Sequence, residues 1–498
     1  MKLYTDLKNS FIQHIGKNAF VINGVAYSYG LFAEIISTIR AAIAINISET
    51  EKNIGLVAND DIETYAAIIA LWMEGKAYVP LDPEVPPDRN ESILQQAFLQ
   101  TVIDSSEKPL FPRYRIINSK VLQAAPVNLA AKAVSGNELA YILFTSGTTG
   151  QPKGVPITRS NVEGFVSAFE VLGLHITNKD KCLQMFELTF DLSVMSYLIP
   201  LLKGASIYTI PKNTIKYLYI YDLMEEQQIT VALMVPSVLQ NLRPYFSEIN
   251  LAEMRYSLFC GEALPLDVTE EWSKCLPNAS ILNVYGPTEA TIFCTYYTYA
   301  AASNNKSYNG LLSIGKAMQG SHTVIINEKN EILTFGNTGQ LCLGGIQLTP
   351  GYWNNEEKNK EAFFDTEYNG LPERFYKTGD ICKIDTDGNM LYIGRSDSQV
   401  KVQGFRVELS EIEFHVKAFL QKNNAVAVAY PDAMGNTEIG LVIEAAAFDT
   451  APLLQYIKTK MPAYMIPKKI QFTAAFPLNN NGKTDRNKLG FLFKNIQQ

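Results

Sequence analysis

The sequence predicts a large α/β protein, and three observations carry that expectation. Short β-rich runs (Ile54 to Val57, Tyr141 to Phe144, Val231 to Val235, Ser257 to Cys260 and Ile281 to Val284) alternate with helix-like stretches such as Thr64 to Met73 and Asp267 to Cys275. From Ser321 to Leu343 the texture changes to Val/Ile-rich strands, punctuated by Gly336, Asn337, Gly339 and then Gly344 and Gly345. Glycine-rich breaks between short strands predict an antiparallel, barrel-like section there. A third texture begins near Asp397.

Composition bounds the function before any motif is read. With 498 residues, 47% of them hydrophobic, the chain can bury a sizeable core, and at ~150 residues per domain it allows about three units. Lys and Arg number 43 against 50 Asp and Glu, a net charge of −7. Nucleic-acid affinity rests on phosphate neutralisation, and no basic excess exists to supply it, so nucleic acid is excluded as the main partner. Cys182, Cys260, Cys275, Cys294, Cys342 and Cys382 form no CxxC pair, which argues against a disulfide framework or a thiolate metal site. His14, His175, His322 and His415 are scattered, and a histidine-rich metal centre is equally disfavoured. Residues 1 to 16 lack the apolar block of a signal peptide, and the longest apolar run, Tyr65 to Met73, is far short of the ~18 residues that span a bilayer. The expectation is a cytoplasmic protein with no membrane span. The last 101 residues hold 12 Lys and Arg against 8 Asp and Glu, so they carry +4 while residues 1–397 carry −11. That step is either an accident of composition or the mark of a lid that helps neutralise a polyanionic ligand.

Residues 141–155 place a strand before Thr145-Ser146-Gly147-Thr148-Thr149-Gly150 and then Lys153. Glycines let backbone amides approach phosphate oxygens, the hydroxyls add donors, and the lysine adds charge. The spacing is not G-x-x-x-x-G-K-[ST], which disfavours a P-loop kinase or GTPase. This string resembles the signature of the adenylate-forming superfamily, which includes acyl-CoA synthetases, luciferases and the adenylation domains of non-ribosomal peptide synthetases. Further motifs follow in that family's order: Gly75 to Asp82, Phe190-Asp-Leu-Ser193, Asn283-Val-Tyr-Gly-Pro-Thr-Glu289, Tyr376-Lys-Thr-Gly-Asp380, Gly394-Arg-Ser-Asp397 and Asn481-Gly-Lys-Thr-Asp-Arg486.

The resemblance implies a large N-terminal domain, residues 1–396, made of two α/β subdomains and a small β-barrel-like subdomain. A small, mobile α+β domain follows at 397–498, with Asp397 as its hinge. It implies ATP and Mg²⁺ as cofactors, with catalytic parts for Lys483, Thr145 and Glu289. Nucleotide contacts are implied for the loop Thr145 to Gly150, for Lys153, for Gly261, Glu262 and Ala263, and for Asn283, Val284, Tyr285, Gly286, Pro287 and Thr288. Asp380, Tyr392, Ile393, Gly394, Arg395 and Lys483 complete that set. The roles make chemical sense residue by residue. Tyr285 offers a ring to adenine, Glu289 a hard oxygen to Mg²⁺, and Asp380 a carboxylate to the vicinal ribose hydroxyls, although an Asx turn after Gly379 is its plainer reading. Lys483 matches the lysine that binds the substrate carboxylate and stabilises charge as pyrophosphate leaves. In the family a thiol then takes the acyl group across another face of the small domain, here Lys401 to Arg406, with Gly404 giving close passage.

Asp191 bears on the substrate class. A buried Asp calls for a cation, and an amino-acid ammonium supplies one, while a helix N-cap before Leu192 is the alternative. By resemblance the amino-acid-activating branch carries Asp here, and the local motifs are most similar to the D-alanine:carrier-protein ligase family. The implied side-chain pocket comprises Leu192, Met195, Leu233, Leu258, Cys260, Val284, Ile292 and Phe293, apolar and often large, leaving room for a small or apolar side chain. Val284 and Phe293 depart from that family's usual Thr and smaller residues. A stand-alone natural-product adenylation enzyme for another amino acid is therefore the close rival, and an acyl-CoA synthetase the more distant one. With 15 residues after Lys483, the acceptor is expected to be a separate phosphopantetheinyl carrier protein.

Overall fold

The structure, a computed structural model, describes residues 1–147, 150–211, 214–301, 303–421, 424–478 and 484–494. The chain divides into two units. The first gathers Met1–Pro83, Gln96–Leu143 and Gly154–Ser396, and the second Glu84–Gln95, Phe144–Lys153 and Asp397–Gln498.

The β-rich runs fold as the strands Asn53–Val57, Leu139–Thr145, Val231–Met234, Tyr256–Phe259 and Ser280–Tyr285, and the two helix-like stretches as Ile62–Met73 and Leu266–Cys275. Among the described residues, one sheet orders its nine strands Lys316–Ala317, Thr295–Tyr299, Ser280–Tyr285, Tyr256–Phe259, Val231–Met234, Lys181–Gln184, Ser206–Thr209, Asn18–Ile22 and Val25–Ser28. Its middle is parallel, with Leu233 opposite Leu258 and Leu258 opposite Leu282. Parallel strands are covered on both faces, and their sequences are correspondingly apolar throughout: Val231, Ala232, Leu233 and Met234 are all buried. A second sheet orders six strands, Arg115–Asn118, Thr101–Asp104, Asn53–Val57, Ala77–Leu81, Leu139–Thr145 and Lys153–Thr158. The glycine-punctuated region is antiparallel: Ser321–Ile326, Thr338–Gly345, Leu371–Ile384 and Phe363–Tyr368 lie side by side, and Met390–Arg395 pairs with Leu371–Ile384. The mixed α/β class is the one expected.

Local caps fix where the helices start. Asp61 accepts the Thr64 amide at 3.0 Å and Ser28 accepts the Leu31 amide at 3.1 Å, contacts that typically contribute about 1 kcal/mol each. The helix Tyr29–Asn46 is longer than any unbroken apolar run in the sequence. At 18 residues it is long and apolar enough to cross a bilayer, although Glu34 and Arg40 interrupt its apolar stretches and hid it from that criterion. Here Phe32, Ile36, Ile39 and Ile43 are core residues, and buried Arg40 pairs with Glu74 at 2.8 Å.

All six cysteines are buried as thiols. Burial pushes the Cys275 thiol up to about 11 and the Cys342 thiol up to about 12, and it raises Cys182, Cys294 and Cys382 as well.

The second unit has its own core, built from Val407, Ile412, Val416, Leu441, Leu453, Ile457 and Met465. The strands Gln399–Val402 and Phe405–Glu408 form a hairpin around Gln403 and Gly404, at φ 51° and 84°. Two consecutive left-handed residues match the twist of the flanking strands, which explains a glycine at 404. The helix Leu409–Leu420 follows, and then a sheet of Ala425–Pro431, Thr437–Glu444 and Lys469–Thr473.

Candidate active site

In the first unit the expected site residues gather at the carboxyl ends of three neighbouring parallel strands. Val231–Met234, Tyr256–Phe259 and Ser280–Tyr285 run side by side, and the chain leaves the last two at Cys260-Gly261-Glu262-Ala263 and Gly286-Pro287-Thr288. Loops at that edge of an open parallel sheet are where ligands of α/β proteins bind. Gly261 needs its φ of 91° for the exit turn. Glu262 turns back to accept the Ser237 amide at 2.8 Å, in the first turn of the helix Pro236–Leu242. Asn283, buried within its strand, donates through Nδ2 to the carbonyls of Ser313 at 2.9 Å and Leu312 at 3.3 Å.

Asp380 and Arg395 face each other across antiparallel strands, with paired Cα positions. Arg395 Nη1 donates to Asp380 Oδ1 at 2.6 Å, and the Tyr285 hydroxyl donates to Oδ2 at 2.5 Å. Thr378 adds its Oγ1 as acceptor for the Asp380 amide at 3.0 Å. Burial, and next the negative Asp380, hold the Tyr285 phenol well above its ordinary range, so it stays a donor. The carboxylate is thus bonded on both oxygens and fixed in direction. Tyr392, Ile393 and Gly394 lie on the same strand as Arg395.

Glu289 is fully buried in the short 3-10 turn Thr288–Ala290. Its Oε1 accepts from the Tyr352 hydroxyl at 2.6 Å, Tyr352 in turn meets the Tyr376 hydroxyl at 3.2 Å, and its backbone carbonyl accepts the Thr349 amide at 2.8 Å. Gly286 packs against the backbone of residues 292–294. A Cβ there would stand 2.4 Å from Phe293 Cα and 3.0 Å from the Cys294 amide, backbone atoms that cannot swing aside. Gly286→Ala is therefore expected to cost about 1–3 kcal/mol, read as a lowered melting temperature, and to weaken nucleotide binding by shifting residues 292–294.

Asp191 precedes the helix Leu192–Lys203 but makes no side-chain cap bond to it. It is 3% exposed, and its Oδ2 accepts the amide of Ile292 at 3.2 Å, a residue 101 positions away. The N-cap alternative is not the one realised. The expected pocket residues Leu192, Met195, Leu233, Leu258, Cys260, Val284, Ile292 and Phe293 are all buried. The Phe293 ring packs edge-on against Phe165, with centroids 5.0 Å apart. Thr291 and Ile292 have φ of 53° and 74°, two successive β-branched residues in the left-handed region. Such a conformation costs roughly 1–2 kcal/mol per residue, so the surroundings must hold it.

They do so through Gln347, to which no sequence motif points. This residue is 1% exposed, and its Nε2 lies 2.8 Å from the carbonyl of Phe293, 3.1 Å from that of Thr291 and 3.3 Å from that of Ala290. Its own carbonyl accepts from Thr291 Oγ1 at 2.6 Å, and its Oε1 accepts from Ser321 Oγ at 3.0 Å. Tyr352, the partner of Glu289, is equally invisible to motif reading. The neutral Gln347 and the Thr349-Pro-Gly-Tyr352 stretch carry no charge pattern that could have found either residue.

In the second unit Ser146 Oγ donates to the Arg406 carbonyl at 2.8 Å, and the Gly147 amide donates to Glu411 Oε2 at 3.1 Å. Glu411 is fully buried and also takes Arg89 Nη1 at 2.7 Å. The Gly147 amide therefore already binds an anionic oxygen, the chemistry that a phosphate would ask of it. Thr145 Oγ1 is buried with no hydrogen-bond partner among the described residues. Gly150, at φ 75°, packs on Phe414, and Lys153 opens the strand Lys153–Thr158. Asp397 Oδ1 accepts the Gln399 amide at 3.1 Å, while Lys401 and Gly404 belong to the hairpin. Thr148, Thr149 and Lys483 lie outside the described residues.

Comparison with known proteins adds the remaining facts. A family model described as AMP-binding enzyme matches residues 8–353. Tyrocidine synthase 1 of Brevibacillus parabrevis is 32% identical over 453 residues, 89% of this chain and 40% of that protein. Bacitracin synthase 1 of Bacillus licheniformis is 32% identical over 88% of this chain and 8% of its own length. The chain thus spans less than half the length of these curated relatives. The crystal structure of the Vibrio cholerae adenylation domain AlmE in complex with glycyl-adenosine-5'-phosphate aligns at a TM-score of 0.88, with 25% identity over 99% of this chain and 98% of that one. The artificially fused adenylation-PCP di-domain NpsA-ThdA from Klebsiella oxytoca shares the fold, with a TM-score of 0.83 and 21% identity over 94% of this chain and 93% of that one.

Proposed function

This chain belongs to the AMP-binding enzyme family, and from that premise we propose that it is an ATP-dependent ligase that activates a small apolar amino acid, D-alanine first among them. The aminoacyl adenylate so formed passes its acyl group to the phosphopantetheine thiol of a separate carrier protein. The observation that carries this reading is Asp191, a carboxylate 3% exposed and bordered by buried apolar side chains. A buried carboxylate favours a cationic partner, and the α-ammonium of an amino acid is one that a fatty or aryl acid lacks. The relatives support it: the curated ones are named tyrocidine and bacitracin synthases, AlmE is bound to a glycyl adenylate, and NpsA-ThdA is an artificially fused adenylation-PCP di-domain.

In the first step an oxygen of the amino-acid carboxylate bonds to the α-phosphorus of ATP while the bond from that phosphorus to the bridging oxygen breaks and pyrophosphate departs. Little covalent chemistry falls to the protein, so catalysis is positioning and charge stabilisation. Asp191 and the Ile292 amide orient the amino-acid end. Asp380, held by Tyr285 and Arg395, presents oxygens to the ribose. The Gly147 amide and the Thr145 hydroxyl serve the phosphates, and Lys483 the departing charge. Glu289 fits Mg²⁺: it is a hard oxygen donor aimed by Tyr352, and among the described residues no cluster of three Asp, Glu, His or Cys competes with it. Bound there together with substrate phosphates, Mg²⁺ would neutralise their charge. In the second step the thiol attacks the acyl carbonyl and AMP leaves. Residues 397–498 are proposed as the lid that turns about Asp397 to exchange Lys483 for the Lys401–Gly404 hairpin. A reaction fed by ATP is expected in the cytoplasm.

ATP–pyrophosphate exchange with glycine, D- and L-alanine, proline, valine and phenylalanine tests the proposal. Expected is a best rate with D-alanine or another of the small residues, and a loss of about 10-fold or more for phenylalanine. Exchange confined to proline or valine would support the rival natural-product enzyme. Exchange confined to fatty or aryl acids, with thioester formed on free coenzyme A, would overturn the amino-acid reading.

A further inference from the structure

We infer that Gln347 is the positioning residue of the amino-acid subsite, acting through the backbone of residues 290–293 to hold the Ile292 amide against Asp191. The inference rests on the proposed amino-acid activation for its kinetic meaning, but its geometric content stands apart from it.

Gln347 grips one short segment at several points. Its amide nitrogen lies within 3.3 Å of three carbonyls, those of Ala290, Thr291 and Phe293, which flank Ile292 on both sides. Its carbonyl takes the Thr291 hydroxyl at 2.6 Å, so main chain and side chain of one residue hold the same stretch. That segment contains two β-branched residues at positive φ, a geometry that the chain does not adopt unaided. Its product is one contact, the Ile292 amide 3.2 Å from Asp191 Oδ2.

A clamp must itself be anchored. Asn161, whose Oδ1 takes the Thr158 amide in a capping box, sends Nδ2 to the carbonyls of Ile346 at 2.7 Å and Leu348 at 3.0 Å. Gly345, at φ 98°, supplies the turn, and a Cβ there would meet the Gly320 carbonyl at 2.2 Å. Ser321 Oγ fixes the rotation of the Gln347 amide by donating to its oxygen, which leaves the nitrogen facing the three carbonyls. Glu289 is held separately, by Tyr352 and by the Thr349 amide, so the clamp bears on the amino-acid side of the site rather than on the phosphate side. A backbone donor aimed at one carboxylate oxygen sets the direction in which the other faces a ligand, and a subsite loose by about 1 Å loses much of its binding.

The test uses Gln347→Met, which keeps the volume and removes the donors. Expected is a KM for the amino acid raised about tenfold or more, with kcat and the KM for ATP within about threefold of wild type. In the free protein, hydrogen exchange at the Ile292 amide should quicken about tenfold or more, while the helix Ile62–Met73 exchanges as before. Should Gln347→Met not fold, Ser321→Ala, which removes the hydroxyl that orients the amide, gives the same pattern at about threefold. Unchanged exchange at Ile292, or equal rises in both KM values, overturns the inference. A wild-type protein that activates no amino acid refutes the proposed function, while the Ile292 exchange rate still decides the clamp.

Discussion

Lys483→Ala is expected to lower amino-acid-dependent ATP–pyrophosphate exchange by about 10²–10³-fold, the loss usual for removing one preorganised group aimed at charge that develops in the transition state. Thiol transfer from preformed aminoacyl adenylate should stay within a few-fold of wild type, since that step has no pyrophosphate to release. The two assays together separate a catalytic lysine from a merely stabilising one, because a folding defect would depress both. The residues that follow it are anchored: the Asp485 amide donates to the Pro477 carbonyl at 2.8 Å, and Arg486 Nη1 reaches Glu413 at 2.6 Å. Exchange at the wild-type rate in the variant would sink the assignment.

Asp191→Ala is expected to raise the KM for D-alanine by about 10²-fold or more, since breaking a buried charge pair costs about 3–5 kcal/mol and leaves the ligand's ammonium desolvated without a partner. Propionate, the same acid without its ammonium, should lose nothing and gain relative to alanine. That reversal of preference is the diagnostic outcome, and Asp191→Asn should lie between the two. If alanine and propionate both fall alike, Asp191 supports the pocket wall rather than the ammonium. If neither changes, the amino-acid reading loses its main support.

What the sequence made legible follows from how local each signal is. The parallel strands stood out because burial on both faces demands unbroken apolar runs, and Ile54 to Val57 fell one residue short of the strand Asn53–Val57. The helix Tyr29–Asn46 leaves no long apolar run in the sequence because Glu34 and Arg40 break it, although Arg40 pairs with Glu74 in the folded chain. Gly261 and Gly404 were expected for a nucleotide contact and for close passage, and the structure adds that both lie in turns at positive φ. The position of Asp191 before a helix was readable, but its bond to a backbone amide 101 residues later was not. Gln347 illustrates the same limit more sharply. A neutral amide between Ile346 and Leu348 has no periodicity or charge to betray it, and its importance comes from carbonyls 54 to 57 residues upstream that the tertiary fold brings to it.

The buried cysteines bear on the fate of the intermediate. An acyl adenylate is a mixed anhydride that any accessible thiolate would consume, and thiolates, not thiols, are the nucleophiles. Five of the six cysteines have their thiols raised by burial and the sixth, Cys260, is 1% exposed. In the proposed reaction these five thiols, raised by burial, would be poor competitors for the acyl group.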